Sequence, residues 1–176
     1  MIYWRKIRNH YFVYGMKKIK KDLILACIVG ILLSLGVGLI SSIVTKNAIP
    51  NWYENLEKPF FSPPNWVFGP VWAFLYTLMG IAIGRVWFFG RRHLWGKTAI
   101  YHFLSQLILN GLWSLVFFGL RNPSLSMVVI VILWILIQRT IFWFRLVDKK
   151  ASIMLYPYII WVSFASILNA FIIYLN

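Results

Sequence analysis

Residues 52–87 read WYENLEKPFFSPPNWVFGPVWAFLYTLMGIAIGRVW, and the reading of this stretch decides the fold. Its first part carries Pro59, Pro63 and Pro64; each proline fixes φ and removes an amide donor, so this part is a stiff, non-helical connection. From Val67 the chain stays apolar to Phe89 with Arg85 as its single charge, long enough to cross ~30 Å of hydrocarbon as a helix. Gly69-Pro70 marks the turn into that helix or a break in its first turn. An aromatic, Pro-stiffened loop thus feeds directly into a membrane span, and the junction has the composition of a mouth for a flat apolar ligand.

Outward from this stretch the same apolar pattern recurs. Leu23–Val44, Val67–Phe89, Ile100–Phe118, Leu125–Phe144 and Ala151–Tyr174 are each near or above the ~20 residues that a transmembrane helix needs. The fold class expected is an all-α integral membrane protein, a five-transmembrane-helix bundle. Residues 1–22 form a basic N-terminal segment, 23–176 one transmembrane domain, and 45–66 an external loop. A β-barrel is excluded because the segments are continuously apolar instead of alternating over ten residues. Composition agrees: 61% of the 176 residues are hydrophobic and 12% charged, against about 45–50% and about 25% in soluble domains.

The net charge of +14 does not mark a nucleic-acid binder, because the basic residues sit at membrane edges and not on one soluble face. Arg5, Lys6, Arg8, Lys17, Lys18, Lys20 and Lys21 precede the first span, Arg91, Arg92 and Lys97 follow the second, and Arg145, Lys149 and Lys150 follow the fourth. The opposite loops hold Lys46, Lys58 and Arg121. This asymmetry places the N-terminus in the cytoplasm and the C-terminus outside. Arg85 and Arg139 lie near the cytoplasmic ends of their spans and are expected to snorkel there. The first span is too long, and Ser41–Thr45 too poor a cleavage site, for a secretory signal. Met16-Lys17-Lys18-Ile19-Lys20-Lys21 resembles a bacterial initiation region, so residues 1–15 read as a variable extension or an upstream start.

Small residues at four-residue spacing, Gly30, Ser34 and Gly38 on the first helix and Gly80 and Gly84 on the second, let helix backbones approach closely in lipid. They serve packing within the bundle or a dimer contact, the former being favoured. Polar and aromatic residues define further faces: Gln106, Asn110 and Trp113 on the third helix, Tyr158, Trp161, Ala165 and Asn169 on the fifth, and Trp72, Tyr76 and Gly80 on the second. Either these faces enclose one cavity, or the amides join helices while the aromatics fill core. The external loop is likewise a lid, with Trp52, Tyr53, Phe60, Phe61 and Trp66 over the mouth, or an aromatic belt at the headgroups.

Some chemistry is excluded. The acids Asp22, Glu54, Glu57 and Asp148 lie outside the apolar spans, which leaves no buried carboxylate for an ion-coupled pump. There is no phosphate loop, hydrolytic triad or metal-site spacing, and Cys27 is the single cysteine. His102 reads as a hydrogen-bonded interfacial residue in preference to a haem ligand. No 20–50-residue repeat supports an inverted-repeat transporter.

The run Trp52-Tyr53, Leu56, Lys58-Pro59, Pro63-Pro64, Trp66-Val67, Gly69-Pro70-Val71-Trp72, Leu75-Tyr76, Met79-Gly80 and Val86-Trp87 resembles the translocator protein family, also called TspO or peripheral-type benzodiazepine receptor. So do Gln106, Leu109-Asn110, Trp113 and Phe117-Phe118-Gly119, then Leu155-Tyr156-Pro157-Tyr158, Trp161, Phe164-Ala165 and Leu168-Asn169. The resemblance covers about residues 25–170 and implies a five-helix bundle, commonly dimeric, with a ligand cavity beneath the first external loop.

It further implies a tetrapyrrole-binding membrane protein that senses, sequesters or transports porphyrin such as protoporphyrin IX in a bacterial plasma membrane, with porphyrin as ligand and no required cofactor or metal. The positions matching the family's pocket are Tyr53, Trp72, Asn110, Trp113 and Trp161; helical phase adds Tyr76, Tyr158 and Ala165. Trp72 and Trp161 match residues associated with light-dependent porphyrin degradation, an enzyme-like alternative in which they would be the catalytic pair. A regulatory partner of another membrane protein is a further alternative. Two departures matter. Val129 stands where many members have an acid, and after Tyr174 come only Leu175 and Asn176, so the basic residue of the cholesterol-recognition pattern is missing and high-affinity cholesterol binding is not expected.

Overall fold

A computed structural model describes residues 2–176, with side chains described from Lys18 onward. Readings that concern Arg5, Lys6, Arg8, Lys17 and the origin of residues 1–15 therefore lie outside the described side chains. The elements are α1 (Ile2–Asn51), α2 (Asn65–Gly90), α3 (Leu94–Ser114) continuing into a π-turn (Leu115–Gly119), α4 (Pro123–Val147), α5 (Lys149–Ile153) and α6 (Tyr156–Leu175). They make five helical spans apolar and long enough to cross a bilayer, Lys18–Asn51, Asn65–Gly90, Leu94–Gly119, Pro123–Val147 and Lys149–Leu175. No strand occurs among the described residues. The chain is an integral membrane protein, and its surface shows it: Leu25, Leu32, Leu39 and Ile43 of α1 and Ile108, Val128 and Ile160 elsewhere are exposed, as lipid-facing residues must be.

Several boundaries differ from the apolar count. The first span runs to Asn51 and not to Val44, because Thr45–Ile49 contain no breaker and Pro50 stands only in the last turn. The loop expected over 45–66 is thereby cut to 52–64, since Asn65 and Trp66 already belong to α2. The third helix starts at Leu94, six residues before Ile100, with His93 at its N-cap position; Lys97 ended the apolar run but not the helix. The fourth runs 123–147 and not 125–144, capped by the Asn122 side chain, which accepts from the Leu125 N–H at 2.9 Å. The fifth span, expected as one helix over 151–174, is broken at Met154–Leu155 into α5 and α6. Pro157 has no N–H for the carbonyl of Ile153, so it begins a new helix at its first turn instead of kinking one.

The glycines explain the tightest contact. A methyl group added at Gly80 would overlap the backbone of Ile31, one at Gly84 the backbone of Cys27, and one at Gly30 the carbonyl of Gly80. The small-residue stripes of α1 and α2 therefore face each other within one chain. Arg85 does not simply snorkel: its Nε donates to Oδ2 of Asp148, which ties α2 to the α4–α5 junction, and its guanidinium lies 5.5 Å from the Phe89 ring centroid. Asp148 also accepts from the Lys150 N–H at 3.2 Å, capping α5. His102 Nδ1 is 2.9 Å from the Thr98 carbonyl, so the residue is hydrogen-bonded within its own helix. The core is built on α2, α3, α4 and α6 around Met79, Phe103, Ile137, Phe144 and Tyr158.

Candidate functional site

Toward the end of the bundle that carries the 52–64 loop, glycine no longer brings the backbones of α1 and α2 together; a methyl added at Gly69 meets nothing within 4 Å. Beyond Gly38, whose added methyl would meet the Tyr76 ring, the two helices enclose a cavity of about 480 Å³ with walls from α3 and α6. This volume lies within the ~300–1,000 Å³ of typical small-molecule sites. Exposed Leu39, Ser42 and Lys46 on α1 and Trp66, Gly69 and Ala73 on α2 line its rim, so the cavity opens sideways between these two helices, toward lipid.

Of the residues expected at a binding site, Tyr53, Trp72, Tyr76, Asn110, Trp113, Trp161 and Ala165 line this one cavity. Tyr158 does not. It is 1% exposed, and the Trp72 ring covers it edge-on at 6.3 Å between centroids. Helical phase placed Tyr158 on the correct face of α6 but one turn too deep. Gln106 is also buried behind the wall. Asn169, by contrast, reaches the cavity wall, where its amide and the Ser126 hydroxyl lie 3.0 Å apart.

The floor is a hydrogen-bonded chain across three helices. The Tyr76 hydroxyl donates to Asn110 Oδ1, Asn110 Nδ2 donates to the Tyr158 hydroxyl at 3.2 Å, and that hydroxyl donates to Gln106 Oε1 at 2.8 Å. The amides thus do join helices, and Asn110 forms cavity wall as well. Every member is buried, where an unpaired polar group is costly, so the chain fixes the relative positions of α2, α3 and α6. At the α1 wall, Thr45 and Ser114 hydroxyls lie 3.0 Å apart.

Two lining residues carry buried donors with no partner, the Trp113 indole N–H and the Tyr53 hydroxyl. Burial pushes the Tyr53 phenol pKa up, outweighing the opposite pull of the Ser62 hydroxyl, which lies near it but outside hydrogen-bonding geometry. Tyr53 is held by edge contacts to Phe68 at 6.4 Å and Phe117 at 6.2 Å, and Lys58 Nζ stands 5.0 Å from its ring centroid. Lys58 in turn donates to the carbonyls of Glu54 and Leu56 at 3.0 and 3.1 Å. Asn176, at the end of α6, accepts from the Glu57 N–H and donates to the Glu57 carbonyl, both at 3.0 Å. Phe61 packs on Phe171 at 5.2 Å and Phe164 at 6.3 Å. These contacts fasten the loop over the mouth. Phe60 is fully exposed and takes no part in this, while Trp66, already in α2, is exposed at the cavity rim.

Sequence reasoning missed several lining residues. Thr45 and Ile49 fell in what was read as loop. Phe117 enters from the π-turn, where the Leu120 N–H bonds to the Leu115 carbonyl; a wide turn of this kind is common near functional sites but left no mark in the composition. Phe68, at 6.0 Å from Trp161, was legible only as part of an aromatic run. The walls are largely apolar, and no group of three or more potential metal ligands occurs among the described residues.

A profile of the TspO/MBR family matches residues 30–175. The Tryptophan-rich protein TspO of Archaeoglobus fulgidus is 44% identical over 154 residues, covering 87% of this chain and 98% of that protein. The Tryptophan-rich protein TspO of Chlorobaculum tepidum is 42% identical over 157 residues, 89% and 98% of the two chains. The Translocator protein of Homo sapiens is 36% identical over 124 residues, 67% of this chain and 70% of that one.

Proposed function

From the premise that the chain belongs to the TspO/MBR family, we propose that its cavity binds a tetrapyrrole such as protoporphyrin IX, which the protein senses, sequesters or moves. The observation that carries this reading is the convergence of Trp72, Trp113 and Trp161, from three helices, on one cavity with two unpartnered donors in its lining. A planar macrocycle gains from aromatic faces and an apolar enclosure. Its carboxylates are acceptors, and Tyr53 and Trp113 offer donors while exposed Lys46 offers a cation at the rim. The sideways opening suits a ligand that partitions into lipid before it binds. The test is titration of the detergent-purified protein with protoporphyrin IX, followed by Trp fluorescence. Saturable quenching, weakened by Trp72→Phe with Trp161→Phe, is expected; no saturable quenching, or quenching unchanged in that double variant, overturns the reading.

A second reading, light-dependent oxidative breakdown of the porphyrin, draws on the same geometry, since Trp72 and Trp161 line one cavity from α2 and α6. An indole beside an excited porphyrin can donate an electron to it or react with the oxygen species it generates. Illumination of the complex then yields a new absorbing product, and porphyrin loss at the same rate in the double variant rejects this reading.

We further propose a plasma-membrane location, with the N-terminus in the cytoplasm, the 52–64 loop outside and the complex a homodimer. The charge asymmetry supports the orientation. Because the glycine stripes of α1 and α2 are spent on each other, a dimer would use another face. A thiol-reactive, membrane-impermeant label on Asn55→Cys tests the orientation in intact cells, with labelling expected only from outside. Light scattering of the detergent complex, corrected for bound detergent, tests the dimer.

A further inference from the structure

A second groove lies at the other end of the bundle, and it shares no lining residue with the cavity above. We propose that it binds an anionic phospholipid from the leaflet that borders the α2–α3 loop. The groove encloses about 870 Å³ between α1, α2 and α3. Leu25, Val29 and Leu33 on α1, Trp87 on α2 and Ile100 and Leu104 on α3 form its apolar walls, and the three α1 residues are exposed. From Asp22 to Leu33 its α1 wall rises about 16 Å at ~1.5 Å per residue, about half of the ~30 Å hydrocarbon core. The groove is therefore as deep as one leaflet.

Charge is confined to one end. Arg91, Arg92 and His93 stand at the mouth, opposite Asp22. Arg91 is held there by the Trp87 ring, 5.9 Å from guanidinium carbon to centroid. The Arg85 guanidinium is already paired with Asp148, and this is the one ion pair among the described residues; Arg91 and Arg92 have no carboxylate partner there. Asp22 is exposed, with Lys18 and Lys21 exposed beside it on α1, so the mouth as a whole is cationic. An apolar groove of one-leaflet depth, closed at headgroup level by two arginines, matches the two ends of an anionic lipid. Basic pockets between helices at this membrane face take such headgroups. A free phosphate would use only the exposed loop and leave the groove walls without a role.

The inference is independent of what fills the other cavity. Native mass spectrometry of the full chain, released from a neutral detergent with equal amounts of dioleoylphosphatidylglycerol and dioleoylphosphatidylcholine, tests it, with inorganic phosphate in a parallel sample. Selective retention of phosphatidylglycerol is expected. Arg91→Gln with Arg92→Gln should lower that retention about 30-fold, the product of two surface contributions of about fivefold each. Val29→Trp, which fills the groove and leaves every charge in place, should lower it as well. Lys149→Gln with Lys150→Gln should leave it unchanged. Equal loss in the lysine variant would mean general charge attraction. Retention untouched by Val29→Trp, or displacement by phosphate, would mean a free-anion patch. Either result overturns the proposal, as does equal retention of the two lipids.

Discussion

Tyr158→Phe separates the hydrogen-bonded floor of the cavity from the cavity itself. Tyr158 is 1% exposed and does not line the cavity, but its hydroxyl donates to Gln106 Oε1 at 2.8 Å and accepts from Asn110 Nδ2 at 3.2 Å. Gln106 Nε2 already has no partner, so loss of the hydroxyl strands the whole Gln106 carboxamide and one Asn110 donor. Hydrogen bonds between membrane helices are worth about 0.6 kcal/mol on average and at most about 1.7, and leaving a buried group stranded raises the whole cost to about 1–3 kcal/mol. A total of about 1–3 kcal/mol follows, since the phenyl ring keeps its packing. At about 2–4 °C per kcal/mol for a chain of this size, the melting temperature should fall by about 2–12 °C. Cys27 is the single cysteine and is half-buried, so a thiol-reactive dye reports unfolding in detergent with one signal. Adding Gln106→Leu should restore part of the loss, because removing both partners leaves fewer stranded groups than removing one. Melting within about 1 °C of wild type, or a double variant that merely sums the single losses, would refute the reasoning. Saturating protoporphyrin quenching should survive in Tyr158→Phe.

Three more predictions follow from the packing. Gly80→Ala must push α1 and α2 apart at Ile31 and should cost about 1–3 kcal/mol by overpacking, read by the same thiol assay; Gly36→Ala, where an added methyl meets nothing within 4 Å, should stabilise by about 0.5–1 kcal/mol. Phe61→Ala removes contacts with Phe164 and Phe171 and should speed porphyrin release in stopped-flow fluorescence, whereas Phe60→Ala, at a fully exposed ring, should leave the rate unchanged. Arg85→Gln strands the Asp148 carboxylate and should lower the melting temperature more than Arg85→Gln with Asp148→Asn, because the second change removes the unpaired charge; since both side chains are partly exposed, the cost falls below the 3–5 kcal/mol of a fully buried pair.

The five spans were legible because lipid accepts so few backbone structures that length and apolarity nearly determine them. Their ends were not, because a helix continues through the headgroup layer after its apolar run stops. Lys97 and Lys46 ended the counts, yet α3 begins before the first and α1 ends after the second. The same error hid Thr45 and Ile49 from the candidate site. Tyr158 failed for another reason. Spacing along α6 gives the direction of a side chain, but depth depends on what the neighbouring helix places in front of it, here Trp72. The π-turn at Leu115–Gly119 had no sequence signal at all.

The existence of the cavity nevertheless follows from an order of residues visible in the chain. On the side of the bundle that holds the α2–α3 loop, Gly30, Gly80 and Gly84 let α1 and α2 meet backbone to backbone. At Gly38 the partner is already the Tyr76 ring instead of backbone. One turn of α2 farther is Trp72, and beyond it Phe68 and Trp66, with Ser42, Thr45 and Lys46 opposite on α1. Indoles cannot pack against a backbone at the distance glycine allows, so two helices zipped by glycine at one end and carrying tryptophan at the other must diverge. The space between them is closed by the 52–64 loop at its end and by α3 and α6 behind, and it stays open only toward lipid. Replacing Gly38 by Leu tests this order: it should force the Tyr76 ring toward Trp72, shrink the cavity, and weaken protoporphyrin quenching more than it lowers the melting temperature. If instead it unfolds the protein as Gly80→Ala does while the remaining folded fraction binds normally, the divergence does not begin at Gly38 and the account of the cavity fails.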